Sequence, residues 1–143
     1  MYLFNRSISV NVHSQDLKIL RVEGIFIDTH HELCLTLEVD IETYRIVSAQ
    51  GELRRSPHSD CQETQERIQN LVGINLKKNV RKQILAAVGL KNGCTHITDL
   101  TLECVKGVMQ ATYQLMHKTM EAEQVDELVN QFLAGSCLHY QQH

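Results

Sequence analysis

The sequence predicts an α+β fold: a four-stranded antiparallel meander followed by three to four helices packed on the sheet. In the first third of the chain apolar residues recur near every second position, the spacing of half-buried strands. After Pro57, the only proline, they recur every three or four positions, as on helices. The connectors His13-Ser14-Gln15-Asp16 and Asp40-Ile41-Glu42-Thr43 are too short to hold the crossover helix that parallel strands need.

The strand segments are Ser7-Ile8-Ser9-Val10-Asn11-Val12, Leu17-Lys18-Ile19-Leu20-Arg21-Val22, the run from Leu33 to Val39, and a run from Tyr44-Arg45-Ile46-Val47 onward. Period two turns Leu33, Leu35, Leu37 and Val39 to the core and Cys34 and Glu38 away from it. A first helix is expected from about Cys61 to Leu71, capped by Ser59 or Asp60 and stopped at Gly73. A second fits Leu76 to Val88, with Val80, Ile84, Leu85 and Val88 as its apolar stripe, and ends at Gly89. A longer third starts near Thr95 and carries Ile97, Leu100, Cys104, Val108, Ala111 and Leu115 toward Met120, and a fourth spans Glu121 to Leu133. The 143 residues suit one domain, strand-rich over 1–56 and helix-rich over 57–135, with a tail from 136 to 143 that frays.

Charged residues are 22% of the chain and the formal net charge is −3, which argues against nucleic acid as a partner because no excess of cations displaces counterions. The basic run Lys77-Lys78-Asn79-Val80-Arg81-Lys82 has helical spacing and reads as a solvated face before it reads as a phosphate patch. No apolar run is long enough to cross a membrane and the N-terminus lacks a signal-peptide core, so a cytoplasmic protein is expected. Five cysteines at wide, irregular positions do not resemble a secreted disulfide framework, and reduced thiols follow.

The most specific stretch is Gly93-Cys94-Thr95-His96, a thiol and an imidazole two residues apart at the start of the third helix. Thiolate and neutral imidazole are preferred zinc ligands, and thiolates also hold iron-sulfur clusters, so Cys61, Cys94 and His96 supply the atoms for either. Cys61 and Cys94 both fall at helix starts, where the dipole favours the thiolate. Taken singly each cysteine reads as packing, and the motif gains weight only from the combination. His30 and His31 share the turn after Asp28, from which His31, His30 or Asp28 can face the helix starts.

His31 ahead of Leu35-Thr36-Leu37-Glu38-Val39-Asp40, then Pro57-x-x-x-Cys61, Leu71-Val72-Gly73, and Gly93-Cys94-Thr95-His96-Ile97-Thr98-Asp99-Leu100 resemble a bacterial family of uncharacterised proteins with a Gly-Cys-Thr-His motif. The chain departs from that pattern in having Asp99 where glutamate is usual and a short link between Asp28 and His31. More distantly, the order of elements is similar to that of the U-type iron-sulfur cluster scaffold proteins. That likeness implies His31 (or His30) near the first ligand, Cys61 at the second, and Cys94 with His96 at the late pair. Here the late pair is reversed and split by Thr95, and histidine replaces the first cysteine.

The combined expectation is a metal-binding protein using His31, Cys61, Cys94 and His96, holding zinc or acting as an iron-sulfur scaffold or carrier. Two alternatives stand beside it. One is an enzyme with Cys94 as nucleophile, His96 as base and Asp99 or Asp28 as orienter, which the i,i+2 spacing of the pair disfavours. The other is a module that binds a protein partner through the face of Glu121 to Leu133.

Overall fold

The computed structural model describes residues 1–141, and Gln142 and His143, the end of the tail expected to fray, lie outside the described residues. Four strands, β1 (Arg6–His13), β2 (Ile19–Asp28), β3 (Glu32–Asp40) and β4 (Arg45–Arg55), form one sheet in the order β1-β2-β3-β4, every neighbour antiparallel. The α+β meander read from the sequence is the fold. β2 starts two residues later than the periodicity suggests because Leu17 sits in the left-handed region at φ 58°, inside a turn closed by Ser14 and Asp16. It also runs on to Asp28, which the sequence pattern did not reach.

One face of the sheet is buried. Leu20, Val22 and Phe26 of β2 and Leu33, Leu35, Leu37 and Val39 of β3 point into it, while Cys34 and Glu38 take the other face as their parity requires. After β4 the chain enters a 3₁₀ segment over Ser59–Leu71 where an α-helix was expected. Its cap is His58, with no side-chain hydrogen bond, so neither Ser59 nor Asp60 serves as one. Polar side chains tie the segment to β4: Gln65 accepts from the Leu53 amide at 2.9 Å, and Gln62 and Gln69 donate to the Leu53 and Ala49 carbonyls. These bonds fix its path along β4, the edge strand of the sheet.

Helix α1 (Val80–Val88) follows, beginning four residues later than the expected start at Leu76, at the first residue of its apolar stripe, because Asn79 takes a left-handed conformation at φ 46°. Helix α2 (Thr95–Thr119) buries Ile97, Leu100, Cys104 and Val108. It crosses the sheet at Gly24, where a Cβ would stand 2.5 Å from Cys104 Sγ and 2.9 Å from Leu100 Cδ1, so the close approach depends on the missing side chain.

The backbone divides into two compact units, Met1–Val108 and a second from Met109 onward, with the boundary inside α2. The second unit comprises the remainder of α2, helix α3 (Ala122–Leu133) and a 3₁₀ turn at Leu138–Tyr140. Tyr113 and Phe132 meet edge-to-face there, ring centres 6.2 Å apart. Among the described residues no helix is long and apolar enough to cross a membrane.

All five cysteines are free thiols. Burial, with Glu103 nearby, pushes the Cys104 thiol up to about 12, whereas amide donors from Tyr140 and His139 lower that of exposed Cys137. Alkylation of the native protein followed by peptide mass spectrometry is therefore expected to modify Cys137 first, and Cys104 at least about a hundredfold more slowly. Comparable rates at the two positions would contradict the packing of α2 on Gly24.

Candidate metal centre

The β2–β3 hairpin closes through Asp28, Thr29, His30 and His31, with the Asp28 amide donating to the His31 carbonyl at 2.9 Å. Asp28 Oδ1 accepts from the His30 amide at 2.8 Å and the His31 amide at 2.6 Å, an Asx-type turn in which the side chain replaces backbone partners. The same oxygen contacts His31 Nδ1 at 2.9 Å, which fixes the imidazole plane. Arg55, at the end of β4, donates to the carbonyls of Asp28 and Thr29 at 2.9 Å and of His31 at 3.2 Å, clamping the turn from outside.

His96 reaches this turn from the first turn of α2. The Cys94 carbonyl accepts from the Thr98 amide and hydroxyl, both at 3.0 Å, and thereby starts the helix. The His96 ring stacks on that of His31, centres 3.6 Å apart and planes 26° from parallel, and rests edge-on against Phe26 at 5.4 Å. Its Nε2 lies 3.8 Å from Asp28 Oδ2, and Arg6 Nη2 lies 3.7 Å from the same oxygen. Among the described residues Asp28, His31 and His96 form the one group of three donors able to share a metal ion, their ligand atoms all within 4.8 Å of one another.

The electrostatics suit a cation. Burial alone would raise the Asp28 carboxyl, but the His30 amide and the His31 ring and amide outweigh it and hold the group down at about 2, an anion whose side chain is 2% exposed. His96 is shifted down, first by burial and then by the charge of His31, against an upward pull from Asp28. It is thus biased toward the neutral imidazole that metal coordination needs.

Of the four residues expected as ligands, the structure brings His31 and His96 together. Cys94 Sγ lies 3.8 Å from His96 Nδ1, at the edge of the group. Cys61 instead lines an open cleft with His58, Arg67, Lys91 and Gly93, the residue before Cys94. His30 contributes its amide, and Asp99 is not one of the grouped donors. Asp28, weighed in the sequence only as an alternative, is the hub, and Arg6 and Arg55 were not anticipated. The readable signal for Asp28 was an aspartate two and three residues ahead of two histidines at a strand end, the pattern of an Asx turn.

The fold and the cluster define a class: a one-sided antiparallel sheet whose central hairpin presents Asp-His to a helix that returns a second histidine. The chain belongs to a family described as protein of unknown function (DUF2889), whose model matches residues 4–110. That span contains the whole sheet and the cluster. No curated protein and no solved structure matches the chain.

Proposed function

We propose that the protein binds a divalent first-row metal ion, zinc being the first choice, through Asp28, His31 and His96, with Cys94 as the adjacent sulfur donor. The observation that carries this reading is the convergence of one buried carboxylate and two stacked imidazoles from two distant parts of the chain. A carboxylate with two imidazoles suits zinc or ferrous iron better than an iron-sulfur cluster, which is held mainly by thiolates. Cys61, beside Gly93, stays in the reading as the outer thiol, and the free thiols fit a reducing, cytoplasmic setting.

Zinc titration by calorimetry is expected to give one site. His31→Ala and His96→Ala should each weaken it by about a hundredfold or more, and Cys94→Ser by about tenfold. Cys61→Ser tests whether the outer thiol adds to the donor set of Asp28, His31, His96 and Cys94, and Cys137→Ser serves as the unchanged control. Binding should weaken steeply below about pH 6, where imidazoles protonate. Equal losses in every variant, Cys137→Ser included, would refute the assignment.

A second reading has its own observation. Cys94 Sγ lies 3.8 Å from His96 Nδ1 and Asp28 Oδ2 lies 3.8 Å from His96 Nε2, the order of a thiol nucleophile, its base and an orienting carboxylate. The Nε2–Oδ2 gap exceeds hydrogen-bond reach, so the metal reading stands first. If the relay operates in the metal-free protein, His96→Ala slows alkylation of Cys94.

A further inference from the structure

The start of β4 is framed by a returning segment. Arg45 bridges Asn75, the Ile46 amide donates to the Ile74 carbonyl at 3.0 Å, and the Leu76 amide donates to the Tyr44 carbonyl at 2.8 Å. Beside this frame lies an open cleft of about 530 Å³ lined by Arg45, Lys78 and Lys82 together with Asn75, Asn79 and Gln83. No carboxylate lines it, and among the described residues none of the three cations is paired with one. Two of its lining side chains are held: Arg45 Nη1 donates to the Gly73 carbonyl at 2.9 Å, and Gln83 Nε2 donates to the carbonyls of Asn75 and Lys78, while Lys78 and Lys82 are exposed.

Three cationic residues line one open cleft with no carboxylate among the lining, and an anion bound there gains charge-assisted hydrogen bonds. Three cations with side-chain amides beside them match the charge and oxygen count of a phosphate dianion better than those of a single carboxylate. A chain with a net charge of −3 repels a long polyanion at distance, so the fit is to a compact group. We propose that this cleft binds the phosphate group of a small phosphorylated molecule, at a site separate from the Asp28–His31–His96 cluster.

The test is titration of the full-length protein with inorganic phosphate, followed by backbone amide NMR, with chloride replacing phosphate at matched ionic strength as control. Saturable shifts confined to residues 45 and 73–83 are expected. The exposed double substitution Lys78→Gln/Lys82→Gln should weaken them about tenfold or more while Lys82→Arg retains them. Parallel arms use vesicles containing phosphatidic acid and a DNA duplex, and neither is expected to bind. Shifts reproduced by chloride, binding undiminished in the double variant, or binding only to the vesicles or the duplex would each overturn the proposal. Zinc titration of the double variant should be unchanged, which separates this site from the metal reading.

Discussion

Asp28→Ala is expected to destabilise the protein by about 3 kcal/mol and to abolish zinc binding, because one small side chain serves the turn, the ring of His31 and the charge beside His96 at once. The amides of His30 and His31 lose their acceptor, and Arg6 loses its nearest carboxylate. Asp28→Asn keeps an acceptor for the two amides and removes only the charge, so roughly half of the stability returns and the metal does not. The pH dependence carries a definite sign. The folded-state value of about 2 lies below the ordinary carboxyl value of 3.8, so the ionised group stabilises the fold above about pH 4, and this is lost as pH falls toward 2. Its neighbours Arg6 and His96 are partly open to water, which limits this term to about 1–2 kcal/mol. Urea denaturation of the metal-free proteins from pH 7 to pH 2 should show the gap between wild type and Asp28→Asn closing in that window. A gap constant with pH would mean that the carboxylate is not ionised in the turn.

Gly93→Ala is expected to cost at least about 3 kcal/mol and to disable the metal centre with it. A Cβ at Gly93 would run into the backbone carbonyls of Val88 and Gly89, and backbone cannot step aside as a flexible side chain can. Val88 ends α1 and its carbonyl holds the start of α2, accepting from the Cys94 amide at 2.8 Å, while the Gly93 amide donates to the Leu90 carbonyl at 3.2 Å. Shifting Gly93 moves Cys94 and, two residues on, the His96 ring away from His31. Denaturation midpoints and zinc calorimetry on one preparation check both halves. A stable Gly93→Ala variant that binds zinc normally would show that the turn has more room than its geometry allows.

The legible parts of this protein were those governed by periodicity. Alternation in Leu33 to Val39 set which side chains enter the core, and the three-to-four spacing from Ile97 to Val108 located the buried stripe of α2. The start of α2 at Thr95 was readable because the apolar spacing of Ile97, Leu100 and Cys104 begins there. Hydrogen-bond pattern was not readable: the apolar spacing of Ser59–Leu71 fits either helix type, and the glutamines that tie the segment to β4 carry no periodic signal. In the cluster, sulfur and imidazole are the side chains that stand out as ligands in a sequence, and the structure groups His31 and His96 with Asp28 while Cys61 lies in a separate cleft. Asp28 was undervalued because its role depends on where its oxygens point.

The Asp28–His31 turn is closed by bonds between residues no more than three apart, whereas His96 comes from far down the chain. Local turns of this kind close on submicrosecond to microsecond times, while the distant histidine waits for α2 to seat on the sheet. During synthesis the hairpin that carries Asp28 and His31 therefore leaves the ribosome well before His96. On the proposed metal reading, an ion that needs all three donors is captured only once α2 has seated, and a nascent chain short of α2 holds no more than the two donors of its own hairpin.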